Sequence, residues 1–118
     1  MSDLAIDEAI DLAHLERYTG GDSHLNAEVF QLFSRHCLET LGKLERISRR
    51  PERKAWREAA HSLKGAAMGI GAFELAFAAG DAEAIDPAAA PDRTANALRT
   101  LQARSQVVQA FIEAYLAA

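Results

Sequence analysis

The stretch Pro51 to Ala72, PERKAWREAAHSLKGAAMGIGA, leaves this chain few structural options. Trp56, Ala59, Ala60, Leu63, Ala67 and Ile70 recur at steps of three and four, the spacing of one apolar helical stripe. Such a stripe has to be buried, so the rest of the chain must supply matching surfaces. Pro51 suits the first helical position, where a missing N–H costs nothing, and no second proline interrupts the stretch. Arg57, His61, Lys64, Gly65 and Met68 fall on the opposite side, also at three- and four-residue steps, and neighbour one another in water.

Gly65 is the odd residue on that outer side. A glycine inside a helix costs about 1 kcal/mol against alanine, so it calls for a reason. Placed at i+4 from His61, it removes the side chain that would crowd the imidazole one turn along. Arg57 at i−4 and Lys64 at i+3 set two cations within a turn of the ring. Imidazole, with a reference pKa of about 6.5, is mostly neutral and nucleophilic at pH 7. An exposed ring, an open approach and flanking positive charge suit a nucleophile that receives an anion. Spacing alone leaves a second account open, a surface histidine beside a chance glycine.

The other segments are helical too. No strand-like alternation of β-branched residues occurs, alanine is abundant, and there are three prolines in 118 residues. Ile6, Ala9, Ile10, Leu12, Leu15 and Tyr18 form a short stripe that stops at Gly20-Gly21. It reads as a cover across one end of a bundle. Asp22 is placed to cap a long helix that runs to about Ser48, with Leu25, Val29, Leu32, Phe33, Cys37, Leu41, Leu44 and Ile47 as its buried side. Gly69-Ile70-Gly71 breaks the third helix around a buried Ile70. A further helix spans about Ala72–Ile85 with Phe73, Ala76, Phe77 and Ile85, where Ala79 and Gly80 permit close approach. After a loop, a last helix starts at Asp92 and presents Leu98, Leu101, Ser105, Val108, Ile112 and Tyr115. The expected fold is all-α: an antiparallel up-down-up-down four-helix bundle (residues 22–117) with an arm and short N-terminal cover helix (residues 1–21), together one domain over 1–118.

Several function classes are disfavoured. The net charge of −4 argues against general nucleic-acid binding, which needs a basic face. Arg46, Arg49, Arg50, Arg53, Lys54 and Arg57 do concentrate charge, but Glu45, Glu52 and Glu58 interleave with them. Arg50 lies about 16 Å along the helix from His61, two Debye lengths at physiological salt. Locally, only Arg57 and Lys64 should matter, and the remaining cations read as a solvated face. His14, His24 and His36 have no metal-ligand spacing, and only one Glu-x-x-His occurs, Glu58–His61, where carboxylate-bridged metal bundles need an inward one on each of two helices. Gly69-Ile70-Gly71 lacks the strand and the fuller fingerprint of a nucleotide loop. The single Cys37 makes no internal disulfide and reads as a small buried hydrophobe. With no basic-then-apolar leader and no apolar run near 20 residues, a cytoplasmic monomer is expected.

The segment Ala60–Ala72, AHSLKGAAMGIGA, resembles the signature of histidine-phosphotransfer (HPt) domains: a helical His-x-Leu-Lys-Gly, small residues, then a Gly-aliphatic-Gly break. Tyr18–Asp22 (YTGGD) is similar to the turn that opens the family's first bundle helix, and Val29–Phe33 (VFQLF) to the apolar run behind it. The resemblance covers roughly Asp11–Ala84 and implies the same bundle. It also implies a phosphorelay carrier between response-regulator receiver domains or from a hybrid histidine kinase, by way of phosphohistidine at His61. Lys64 would stabilise phosphoryl charge and Gly65 would give access. No cofactor is expected on this chain, and Mg²⁺ belongs to the partner receiver. Nor is the chain expected to be an enzyme with an ATP site of its own. A non-phosphorylated adaptor that binds a receiver or kinase is the alternative.

A docking patch is expected around His61. If the chain turns back near residues 48–51, Leu38 and His61 each lie ten residues from the turn, at about the same level. Leu38, Met68 and Arg57 are therefore the candidate partner contacts.

Overall fold

The computed structural model describes residues 8–118. Among the described residues five helices succeed one another: α1 (Leu12–Thr19), α2 (Ser23–Arg49), α3 (Arg53–Ile70), α4 (Phe73–Glu83) and α5 (Pro91–Ala117). No strand occurs among the described residues. Helices α2, α3, α4 and α5 each pack on the next, and α5 returns to α2, closing a ring; α3 and α5 lie diagonally apart. Helix α1 packs on α2 and α3. The fourth helix is short, with 11 residues.

Local chemistry sets the boundaries. Gly20 and Gly21 adopt positive φ, 67° and 79°, a conformation that favours glycine, and so turn α1 into α2. Asp22 caps α2 as the sequence suggests, accepting from the backbone N–H groups of His24 (2.9 Å) and Leu25 (3.1 Å). Such a cap contributes about 1 kcal/mol.

The start of α3 differs from expectation. Glu52, not Pro51, is the boundary residue; its carboxylate accepts from Ala55 N–H at 2.6 Å and Lys54 N–H at 3.3 Å. Pro51 acts upstream instead. A proline disfavours the helical conformation of the residue before it, and Arg50 has already left α2 at φ −132°, ψ 79°. At the far end only Gly71 uses positive φ (82°), while Gly69 remains helical. The Asp11 N–H donates to Gly71 O at 2.9 Å, and a Cβ at Gly71 would stand 2.5 Å from the Asp11 carbonyl oxygen. Glycine at this position lets the start of α1 seat against the α3–α4 turn.

The core confirms the α3 stripe residue by residue: Trp56, Ala59, Ala60, Leu63, Ala67 and Ile70 are all buried. The α2 stripe holds in part: Phe33, Cys37 and Leu44 are buried, and Val29, Leu41 and Ile47 pack half-buried against the core. Its buried residues are Asn26, Phe30, Phe33, Cys37, Thr40 and Leu44, whereas Leu25 and Leu32 face solvent. This seam alternates by three and four but contains two polar residues, so apolarity alone shifts the centre of the stripe toward Leu25 and Leu32. Asn26 is tolerated because it is bonded: Thr19 Oγ1 donates to its Oδ1 at 2.5 Å, and its Nδ2 donates to Tyr115 Oη at 3.1 Å. Those two bonds join α1, α2 and α5. In α4 the buried residues are Leu75, Ala76, Ala79 and Ala82, while Phe77 points outward. Three alanines let α4 lie close to α3, and Trp56 Nε1–H reaches across to donate to Ala82 O at 2.7 Å. Carbonyls in the last turn of a helix have no partner within it, so this buried bond fixes the end of α4.

Candidate functional site

The bond from Trp56 to Ala82 has a consequence one residue further on. Glu83 succeeds Ala82 and is held at the end of α4, opposite the exposed side of α3. Its carboxylate bridges two α3 side chains, with Oε2 2.9 Å from His61 Nδ1 and Oε1 3.3 Å from Lys64 Nζ. The His61 side chain is 66% exposed and that of Glu83 is 23% exposed. An ionised carboxylate only accepts hydrogen bonds, so in the neutral ring Nδ1 holds the proton and donates it to Glu83. The lone pair is then on Nε2, which has no hydrogen-bond partner among the described residues. Partial burial acts to raise the Glu83 pKa, but the hydrogen bonds and charges of His61 and Lys64 together outweigh it and hold it below the ordinary carboxylate value.

Three of the expected site residues meet here. Lys64 stands one turn along from His61, its stem laid over Gly80 of α4, where an added Cβ would be 3.3 Å from Lys64 Cδ. Gly65 is exposed, and a Cβ there would touch nothing within 4 Å. Contrary to expectation, a side chain at 65 would not crowd the imidazole, and the open space serves whatever approaches from outside. Arg57 is exposed one turn before His61 and forms no ion pair among the described residues.

The proposed apolar contacts separate. Met68 is exposed and lines a groove of about 470 Å³ beside the site, with Lys64, Ala76, Phe77, Gly80 and Asp81. Leu38 is exposed as expected, at 59%, but lines a different groove, between α2 and α5, with Leu41, Gln106 and Gln109. The level was right: His36 Nε2 lies 3.2 Å from Ser62 Oγ, so α2 and α3 pair within a residue of the expected register. Its angular position was not, because α5 occupies the flank of α2 that Leu38 faces. The large apolar side chains flanking the α3 outer face are Leu32 on α2 (62% exposed) and Phe77 on α4 (60%).

Glu83 escaped the sequence reading because it lies 22 residues from His61, on another helix. Counting outward from the Gly71-Ala72 turn would have found it, since His61 and Glu83 stand nearly equidistant from that turn. Of the other histidines, His14 packs edge-on against Phe73 with ring centroids 5.1 Å apart, His24 is exposed in the first turn of α2, and His36 bonds Ser62. None of these three has a carboxylate and a lysine beside it. No group of three His, Cys, Asp or Glu side chains suited to a metal ion occurs among the described residues. No helix of the described residues is long and apolar enough to cross a membrane.

A match to the Hpt domain family runs over residues 28–117, three quarters of the chain. The chain belongs to the Hpt domain family. Hpt domains are phosphocarrier modules of two-component signalling that interact with receiver domains and kinases, and the matched span holds His61, Lys64, Gly65 and Glu83. Comparison with curated proteins gave no match. Comparison with solved structures gave none either.

Proposed function

We propose that this Hpt domain shuttles a phosphoryl group between receiver-domain aspartates, with His61 as the covalent carrier. The Nε2 lone pair attacks the phosphorus of an aspartyl phosphate. An N–P bond forms, the P–O bond to the aspartate breaks, and its electron pair stays on the released carboxylate. Because Nδ1 keeps its proton, no proton has to leave the attacking nitrogen. The ring gains positive charge as the N–P bond forms, and the Glu83 carboxylate offsets it, much as a buried aspartate supports the histidine of a catalytic triad. Lys64 offsets charge on the phosphoryl oxygens, and Gly65 leaves the partner room. Transfer to a second receiver reverses the step.

The observation that carries this reading is the Nδ1 contact with Glu83 at 2.9 Å, which leaves Nε2 free on an exposed ring. Phosphoryl transfer asks for alignment and charge stabilisation more than for protein covalent chemistry, and this site offers both. The same reading assigns Mg²⁺ and the accepting carboxylate to the receiver and no ATP site to this chain. It takes α2–α5 as an antiparallel up-down-up-down bundle covered by α1, within one domain over 1–118, acting as a cytoplasmic monomer. The ring order of the helices and their short connections support that topology.

Incubation with phosphorylated receiver domains should place acid-labile, base-stable phosphate on this chain, and His61→Gln should abolish it. Label on His14, His24 or His36 refutes the assignment. Biological activity that survives in His61→Gln would instead indicate an adaptor without phosphotransfer.

A further inference from the structure

The wall of the bundle that presents His61 is made from the outer faces of α2 and α3, and its charge is unevenly spread. On α2, Leu32, His36, Glu39, Lys43 and Arg46 recur at steps of four and three, so they share one face. The His36–Ser62 bond places that face beside α3. On α3, Lys54 and Arg57 precede His61, while Gly65, Met68 and Gly69 come after it. Past Glu39, the one exposed carboxylate between His36 and Lys43 on that face, the wall is basic toward the α2–α3 hairpin, and it is apolar beyond the histidine.

Residues 43–58 hold seven of the 13 cations and three carboxylates, a net +4, in a chain whose total is −4; the remainder carries −8. Glu45 pairs with Arg49, Glu58 with Lys54, and Asp86 with Arg53. Lys43, Arg46 and Arg57 are exposed and form no ion pair among the described residues.

Distance decides what these cations can act on. Arg57 lies about 6 Å from His61 along α3, and Lys43 and Arg46 lie about 10 and 15 Å beyond His36 along α2. Through salt solution, with a Debye length of about 8 Å, only Arg57 acts strongly at the ring. A docked protein changes this. A standard interface buries about 800 Å² on each side, a disc of about 16 Å radius. Adding the roughly 8–10 Å between the axes of packed helices, a partner centred on His61 covers Lys43 and reaches Arg46 at its rim.

Resting on the phosphocarrier reading, we propose that this wall docks an acidic receiver face in one orientation. Receiver carboxylates lie against Lys43, Arg46 and Arg57, and receiver apolar side chains lie against Leu32 and Met68. Charge complementarity of this kind fixes orientation and association rate more than the strength of the final complex.

The test compares Lys43→Glu/Arg46→Glu with a control, Arg93→Glu/Arg99→Glu, which makes the same charge change on diagonally placed α5. Each is assayed with a phosphorylated receiver domain and with phosphoramidate, a small phosphodonor that needs no docking. In about 50 mM NaCl the hairpin variant should lose roughly tenfold in its bimolecular rate with the receiver, and the loss should shrink in about 0.5 M NaCl. Its labelling by phosphoramidate, and both rates of the control, should change less than about twofold. Equal losses in the two double variants, or an unchanged receiver rate in the hairpin variant, overturn the docking proposal. If phosphoramidate labels the wild-type chain but no receiver does, the carrier reading itself fails and the docking proposal falls with it.

Discussion

Removing Glu83 tests the chemistry of the site with little risk to the fold, since its side chain meets solvent and α4 is anchored by Trp56 through Ala82. Glu83→Gln keeps the shape and removes the charge. The bond to Nδ1 becomes neutral, and charge-assisted bonds contribute about twice as much as neutral ones. Taken from typical net values and discounted for an open site, the loss is about 1 kcal/mol. At 1.36 kcal/mol per tenfold, that is about a fivefold slower transfer from a phosphorylated receiver. Glu83→Ala removes the acceptor altogether. The ring proton is then free to move to Nε2, where it occupies the attacking lone pair, and about a tenfold loss is expected at similar global stability. Two measurements read this out: the single-turnover transfer rate, and the ¹⁵N shifts of the imidazole, which report which nitrogen holds the proton. In the wild type Nδ1 should be protonated at neutral pH, and in Glu83→Ala that preference should weaken. An unchanged tautomer together with an unchanged rate in Glu83→Ala would remove Glu83 from the mechanism.

Four further outcomes are expected. Gly65→Ala should raise stability by up to about 1 kcal/mol, because the added methyl meets nothing within 4 Å, yet slow transfer from a receiver; denaturant melts and transfer rates on one sample check both halves. Gly80→Ala should also gain helix propensity but push the Lys64 stem, 3.3 Å from the new methyl, so receiver transfer should fall a few-fold while the melt does not weaken. Trp56→Phe removes the indole donor and leaves the Ala82 carbonyl only the Ile85 N–H, and should cost about 1 kcal/mol in urea denaturation, with slower transfer as the Glu83 position loosens. The Glu83 pKa is lower folded than its ordinary 4.5, so its stabilising contribution is complete above that value and disappears as pH falls through the folded pKa; the stability gap between wild type and Glu83→Gln should close below about pH 4.5.

The sequence determined whatever depends on neighbours along one helix. Periodicity fixes which residues of α3 face in and which face out, so its stripe and exposed His61, Lys64 and Gly65 stand as read. The Asp22 cap and the Gly20-Gly21 turn are local as well, set by side-chain acceptors and by backbone conformations that favour glycine. What the sequence did not hold is the rotation of one helix about its axis relative to the next. A small turn of α2 about its axis exchanges Leu25 and Leu32 for Asn26, Phe30 and Thr40, and buried bonds from Thr19 and to Tyr115 settle the choice. The same rotation turns Leu38 toward α5 and puts His36 against Ser62. Only the packing of α4 on α3, made close by alanines and secured by Trp56, brings Glu83 to His61 across 22 residues of chain. A covalent sequence orders residues along each helix, but contact between helices depends on which faces bury together, and that was decided in the tertiary structure.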